Sequence, residues 1–309
     1  MTSPAKHPHQ ALFALLAMSF IWGYSWVVVK EAFRFIDPLD FVALRTFAGA
    51  LCLLALARVS GASLRPKELP LTFLVGLFST TGSMGLSTLA LATGAAGKTA
   101  ILMYTMPFWT LLFAGPILGE RIRATYWIAV LMALAGMIGL LEPWNLRGTL
   151  LSKILAVTAG MLWAFSTIIT KIVQRRGEYN AMTFSAWQML LGSLPLGLLA
   201  VVIPSPPISW SGYFVFALFY NVLLAGSLAV FLWYYVLQML PAGVAGMGAL
   251  ATPVIGLIAS SIQLDERLSF FESSGIALIL SALGLIAALQ IMEYRRRSAG
   301  RSESGRLLS

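Results

Sequence analysis

The longest uncharged stretch of the chain runs for 86 residues, from Tyr179 to Leu264, without Asp, Glu, Lys or Arg. A helix crosses a bilayer with about 20 apolar residues, so this stretch has room for several crossings. Prolines at Pro204–Pro207 and at Pro241 mark breaks between them. Only 11% of all residues are charged, too few to give a soluble core of this size a polar surface. The sequence therefore predicts an all-α membrane protein.

Hydropathy and the turn residues divide the chain into ten predicted membrane helices. The first, which begins near residue 10, is too long for the apolar region of a signal peptide and has no clear cleavage site. Connections are short, so we expect any ligand to be bound by the helices themselves. The predicted helices are 10–30, 38–57, 70–92, 98–118, 123–141, 151–172, 181–203, 211–238, 242–263 and 270–291.

The basic residues predict the orientation of these helices. Fourteen of the 21 Lys and Arg residues lie in segments on the same side as the N-terminus, and six lie on the opposite side. Cytoplasmic loops carry the excess of positive charge, so both termini are predicted in the cytoplasm of a plasma (inner) membrane protein. The net charge of +9 is explained by this asymmetry, and we expect no nucleic-acid partner.

A motif near the start of the chain recurs in its second half. Trp22-Gly23-Tyr24-Ser25, followed by Lys30, reappears as Trp163-Ala164-Phe165-Ser166, followed by Lys171, with the same offset at every position. The match relates the first predicted helix to the sixth, so each repeat holds five helices.

A second pair of motifs follows the same order. Pro107 with Glu120 recurs as Pro253 with Glu266, at an offset slightly larger than that of the first motif. Gly82-Ser83 matches Gly226-Ser227 at an intermediate offset, and a small drift of this kind is what loop insertions cause. We divide the chain into a five-helix repeat over 1–144, a second over 145–294, and a basic cytoplasmic tail over 295–309.

Five helices per repeat predict an inverted arrangement. Because five is odd, the second copy enters the membrane from the opposite side to the first. Inverted repeats of this kind are typical of secondary transporters, in which a central cavity is exposed to each side in turn. The predicted fold is therefore ten transmembrane helices as two inverted five-helix repeats around a central cavity.

Several short motifs resemble the EamA group of the drug/metabolite transporter (DMT) superfamily. The last of them recurs in the second half with Asp265 where glycine is usual. The resemblance implies a ten-helix bundle around a cavity and efflux of small metabolites, with amino acid export as one form of it. The motifs are Phe20-Ile21-Trp22-Gly23 with Lys30, Arg45-Thr46-Phe47, Pro107 followed by Leu118-Gly119-Glu120-Arg121, and Pro253 followed by Leu264-Asp265-Glu266-Arg267.

Arg45 is the one ionisable residue placed well inside a predicted helix. Such residues are costly in lipid and face the interior of a bundle, where they mark functional sites. A guanidinium binds carboxylate or phosphate through two hydrogen bonds, which favours a substrate contact. A structural pairing with backbone carbonyls is the alternative. Gln188 lies in the corresponding helix of the second half.

The remaining candidates are aromatic and polar residues near the repeat motifs. Trp22 and Trp163 lie mid-helix, and each has a serine one turn later. Apolar walls with a few polar groups are typical of small-molecule sites, although helix packing would explain these residues as well. The predicted substrate-binding residues are Trp22, Ser25, Arg45, Tyr104, Trp163, Ser166, Gln188 and Asn221. The predicted gating or structural residues are Pro107, Glu120, Pro253 and Glu266.

The acidic residues, histidines and cysteine argue against an enzyme and against a metal or cofactor. All twelve acidic residues lie in predicted loops or near helix ends, both histidines lie in the N-terminal tail, and Cys52 is the single cysteine. Without a buried carboxylate relay, proton antiport, exchange and facilitated diffusion remain open alternatives. A lipid-modifying membrane enzyme and a non-transporting scaffold are the competing interpretations. The expected partners are a small-molecule metabolite and the lipid bilayer.

Overall fold

The computed structural model describes residues 8–119, 124–141, 150–177, 180–239 and 251–282, together with 284–285, 288–289 and 292. Within these residues the regular structure is helical and no strand occurs. In the described part of the chain, six helices are long and apolar enough to cross a bilayer, which confirms an all-helical, multi-pass membrane protein. They are Phe13–Ala32, Pro38–Val59, Leu69–Thr93, Leu150–Arg175, Ala181–Val202 and Gly212–Val236.

The helices follow the predicted boundaries closely. Those of the first half are α1 (Pro8–Ala32), α2 (Pro38–Val59), α3 (Leu69–Thr93), α4 (Ala96–Met103), α5 (Met106–Leu118) and α6 (Ala124–Leu141). Those of the second half are α7 (Leu150–Arg175), α8 (Ala181–Val202), α9 (212–239), α10 (Ala251–Gln263) and α11 (Phe270–Ala282).

The predicted helix 98–118 is the main difference, because a turn at Tyr104-Thr105 divides it into α4 and α5. Pro107 is consequently the second residue of α5, where the missing N–H of proline costs nothing. It therefore lies at the start of α5 and does not kink a continuous helix. Pro253 is the third residue of α10 as far as the structure describes that helix, and Glu120 lies outside the described residues.

Short polar residues begin three of the membrane helices. The Asp37 carboxylate accepts a hydrogen bond from Leu39 N at 2.8 Å, directly before Pro38 opens α2. Asn180 and Ser211 accept from backbone N–H groups in the first turns of α8 and α9. These caps satisfy donors that a helix leaves free at its start.

Packing pairs helices of the first half with helices of the second. α1 packs against α9 and α10, α7 packs against α3, α4 and α5, and α2 packs along α8. The closest approach joins α3 to α8, where a Cβ atom placed on Gly76 would lie 2.2 Å from the Gln188 carbonyl oxygen. A Cβ on Gly192 would lie 2.3 Å from the Gly76 carbonyl oxygen. Small residues permit such contacts between membrane helices.

Two helices contain a π-helical segment in their middle. Leu77–Met84 forms the first within α3, and Tyr220–Leu228 forms the second within α9. They contain the matching pairs Gly82-Ser83 and Gly226-Ser227, so they occupy equivalent positions in the two halves. π-Helical turns are rare and occur often at functional sites.

Candidate functional site

A cavity of about 810 Å³, including space open to solvent, lies in the interior of the bundle. Residues of α1, α2, α3 and the α4–α5 turn line it from the first half, and residues of α7, α8 and α9 line it from the second. The only charged residue among its described lining is Arg45. The cavity is therefore apolar and aromatic, with hydroxyls and one cationic group.

Six of the eight predicted binding residues line this cavity: Trp22, Ser25, Arg45, Tyr104, Trp163 and Gln188. Asn221 is fully buried behind Arg45 and contacts it. Ser166 is buried and lies outside the described lining. The structure thus brings most of the set together, and a role in binding stays a prediction for each residue.

Aromatic rings from both halves form one wall. The rings of Trp22 and Trp163 meet edge to face, with centroids 6.1 Å apart and an interplanar angle of 84°. Trp233 lies 5.9 Å from Trp163, and Tyr104 lies 5.5 Å from it. Edge-to-face pairs are favourable beyond their buried area, so contacts between the rings stabilise this apolar wall.

The serines of the two repeat motifs make the same local bond. Ser25 Oγ donates to the Trp22 carbonyl oxygen at 2.7 Å, and Ser166 Oγ donates to the Trp163 carbonyl oxygen at 2.7 Å. Serine inside a helix commonly bonds to the preceding turn in this way. The two hydroxyl groups therefore have equivalent structural roles.

Arg45 reaches across from α2 to the π segment of α9. Its Nη1 donates to Asn221 Oδ1 at 3.1 Å, and its guanidinium carbon lies 5.9 Å from the centroid of the Phe41 ring. Asn221 Nδ2 in turn donates to the Ala217 carbonyl oxygen at 2.9 Å. Arg45 Nε is buried and has no hydrogen-bond partner among the described residues.

Gln188 makes the equivalent reach from α8 to the π segment of α3. Its Oε1 accepts a hydrogen bond from Thr80 Oγ1 at 3.2 Å. In the repeat, Arg45 corresponds to Gln188 and Thr80 corresponds to Asn221. The sequence separation of each pair is nearly that of the two tryptophan motifs. The two halves thus make related contacts with different chemistry, a guanidinium in one and a neutral amide in the other.

Hydroxyl groups of α3 belong to the site although they were not among the predicted residues. Ser79, Ser83 and Ser87 line the cavity together with Thr88. Their spacing of four residues places the three serines on one face of α3. That spacing is the sequence signal that could have found them. The oxygen atoms of Ser83 and Thr88 are buried and have no partner within the described structure.

Charged groups join the two halves at the end of the bundle where α3 ends and α4 begins, here called the α3–α4 end. The Glu266 carboxylate accepts from Ala96 N at 2.5 Å and from Gly97 N at 3.0 Å. Lys98 pairs with Glu272 of α11. Glu266 therefore caps the N-terminus of α4, where a negative charge is favourable. Its predicted gating role stays a prediction.

Lys30 adds a further tie at the α3–α4 end. Its Nζ donates to the Leu91 carbonyl oxygen at 2.7 Å and to the Gly94 carbonyl oxygen at 2.8 Å. These oxygens lie at the C-terminus of α3, which favours a cation.

The described residues contain no group of three or more His, Cys, Asp or Glu arranged for a metal ion.

The EamA-like transporter family model matches residues 9–141 and 150–288, which together cover most of the chain. The chain belongs to the EamA-like transporter family. The family membership confirms the resemblance read from the motifs. It identifies the molecule as a transmembrane transporter, and the names of the family and of its relatives indicate transporters rather than enzymes.

Relatives of this EamA protein include transporters from two well-separated bacteria. Uncharacterized transporter YoaV of Bacillus subtilis (strain 168) is 25% identical over 89% of this chain and 93% of its own. Uncharacterized inner membrane transporter YedA of Escherichia coli (strain K12) is 26% identical over 88% of this chain and 89% of its own. A probable amino-acid metabolite efflux pump of the same E. coli strain is 24% identical over 88% of this chain and 92% of its own.

A solved crystal structure shares the fold of this EamA protein. It aligns with a TM-score of 0.69 at 18% sequence identity, over 91% of this chain and 98% of the other. A likeness at this identity describes the fold alone.

Proposed function

We propose that this EamA transporter is a secondary transporter that exports amino acids or similar small metabolites by alternating access. The observation that carries the proposal is the central cavity, which both halves line with repeat-related residues such as Trp22 and Trp163. A site placed between two inverted halves can be closed on either side by equivalent movements.

Equivalent contacts in the two halves support an inverted ten-helix repeat with the division at residues 144 and 145. At one end of the bundle, the Ser209 N–H donates to the Phe35 carbonyl oxygen at 2.8 Å. At the other, Arg176 pairs with Glu68 at 2.8 Å. In the repeat, Phe35 corresponds to Arg176 and Glu68 corresponds to Ser209. Each pair is separated in sequence by the same number of residues as the two tryptophan motifs. Residues at related positions of the repeat thus meet at both ends, through a backbone hydrogen bond at one and an ion pair at the other.

The lining favours a small amphipathic substrate. Indole and phenol rings provide apolar walls, serine hydroxyls and the Gln188 amide provide hydrogen bonds, and Arg45 provides charge. Pockets of this composition orient a ligand with a few polar contacts. A relative from E. coli and one from Salmonella typhimurium are each named as a probable amino-acid metabolite efflux pump, which supports the same class.

For localisation, we propose the inner membrane with both termini in the cytoplasm. The excess of Lys and Arg on the terminal side supports this orientation. Tags at both ends of the chain, tested for protease access in sealed inverted vesicles, should both be cleaved. Cleavage of one tag alone would contradict the inverted five-plus-five topology.

The decisive test is transport by the purified protein in proteoliposomes loaded with radiolabelled amino acids. We expect efflux of some members of the panel, at rates above those of protein-free liposomes. Trp163→Ala, which removes the central ring of the cavity wall, should reduce that efflux. Trp210→Ala is the matched control, because the Trp210 side chain is 68% exposed on the outside of the bundle. Folded protein that moves no solute but turns over a lipid would favour the membrane-enzyme alternative instead.

A further inference from the structure

The cavity holds an arginine that the protein itself only partly satisfies. Arg45 Nη1 is bonded to Asn221, whereas no described residue accepts a hydrogen bond from Nε. None of the described lining residues is acidic. The Arg45 side chain is half-buried inside the bundle, where a guanidinium without a counter-charge is costly and an unpaired N–H requires an acceptor.

We propose that this free edge of Arg45 binds a carboxylate group of the transported substrate. A carboxylate fits a guanidinium edge through two parallel hydrogen bonds, so it would supply both the missing acceptor and the missing charge. The inference rests on the proposed transport function and names the chemical group that the cavity selects.

Asn221 is the positioning residue of this site. It is fully buried, and its amide is fixed because Nδ2 donates to the Ala217 carbonyl oxygen. Its Oδ1 holds Arg45 Nη1 and so leaves the Nε edge for the substrate. Being neutral, Asn221 positions the guanidinium without cancelling its charge. A carboxylate at this position would cancel it.

The charge lies on one side of the cavity only. The equivalent position in the second half holds Gln188, a neutral amide that already accepts from Thr80 Oγ1. A substrate carboxylate is therefore drawn toward α2 and α9, while its apolar part rests against Trp22 and Trp163. The substrate is oriented by this difference between two otherwise equivalent halves.

The test compares each acid with its primary amide, which has the same body but no negative charge. Leucine and leucinamide, and phenylalanine and phenylalaninamide, are suitable pairs. Binding is measured by the fluorescence of the cavity tryptophans, and transport by efflux from proteoliposomes. We expect the acid to bind about 10- to 100-fold more tightly than the amide, which is the usual effect of a charged hydrogen-bonded contact.

Three variants separate a binding role from a structural one. Arg45→Gln should abolish the preference for the acid, and Arg45→Lys should retain part of it. Asn221→Asp should also abolish it, because the new carboxylate pairs with Arg45 inside the protein. Arg34→Gln is the control, since the side chain of Arg34 is 71% exposed and pairs with Glu31 outside the cavity.

The outcomes are distinguishable. If acid and amide are transported equally by the wild-type protein, the transport function stands and the carboxylate site is wrong. The site is also contradicted if Asn221→Asp is folded and keeps the full preference for the acid. If no compound of either kind is transported by folded protein, the proposed function itself fails.

Discussion

Trp22 and Trp163 belong to different halves of the sequence, yet their rings meet edge to face with centroids 6.1 Å apart. Each comes from the same motif in its own half. The indole N–H of Trp22 also donates to the Ala225 carbonyl oxygen at 2.9 Å, inside the π segment of α9. One residue thus joins the aromatic wall of the cavity to a segment with irregular backbone bonding.

Trp22→Phe tests the bond to that segment while keeping an aromatic ring in the wall. Loss of one hydrogen bond to a buried carbonyl should lower the free energy of unfolding by about 1 kcal/mol. Transport should fall as well, because α1 is no longer tied to α9. Thermal unfolding in detergent and efflux from proteoliposomes measure the two effects. Trp210→Phe, at an exposed position, should change neither, and equal losses in both variants would contradict this role.

The sequence predicted the described membrane helices, and six of the eighteen described residues that line the cavity, for a physical reason. Long apolar runs mark the helices that cross the membrane, and the repeated motifs around Trp22 and Trp163 show which helices are equivalent. Arg45 was predicted to face the interior because a charged side chain has a high free-energy cost in lipid. All of these signals lie within one helix or recur in the second half at a nearly constant offset.

The features that the sequence did not reveal depend on contacts between distant residues or on backbone geometry. The π segments contain no proline to mark an irregular backbone, and the turn at Tyr104-Thr105 contains neither glycine nor proline. Asn221 became the partner of Arg45 only when α2 packed against α9. Glu266 caps a helix that begins 170 residues earlier, at Ala96, so no local sequence pattern shows this contact.

Glu266→Gln should weaken the closure of the α3–α4 end. The carboxylate accepts two backbone N–H groups of α4, whereas an amide has one acceptor oxygen and no charge, so about 1 kcal/mol of stability should be lost. Cavity access can be measured as the labelling rate of Val29→Cys in a Cys52→Ser background, since Val29 lines the cavity. We expect faster labelling in the Glu266 variant.

Arg267→Gln is the matched control for this experiment. Its side chain is 88% exposed and lies on the same connection as Glu266. It should leave both the stability and the labelling rate unchanged. If the Glu266 variant behaves like this control, the carboxylate does not hold the end closed.

Asp265 and Gly119 occupy related positions of the repeat, and both have left-handed backbone, with φ of 49° and 70°. Glycine adopts this conformation without steric cost, whereas in other residues it costs about 1 kcal/mol or more of conformational free energy. Asp265→Gly should therefore raise the thermal unfolding temperature. Gly119→Ala should lower it through backbone strain alone, because no described atom lies within 4 Å of a Cβ placed there. A lower unfolding temperature for Asp265→Gly would show that its carboxylate contributes more than the strain costs.

Gly192→Ala should disrupt the crossing of α3 and α8, which carry Ser79 and Gln188 to the cavity. The added methyl would lie 2.3 Å from the Gly76 carbonyl oxygen, and backbone atoms on both helices cannot move aside cheaply. Overpacking of this kind costs about 1–3 kcal/mol or more, so we expect lower folded yield and a lower unfolding temperature. Gly197→Ala on the same helix is the control, since a Cβ there meets nothing within 4 Å. Because alanine also favours helix, this control should be neutral or slightly stabilising. Equal behaviour of the two variants would mean that α3 and α8 do not approach so closely in the membrane.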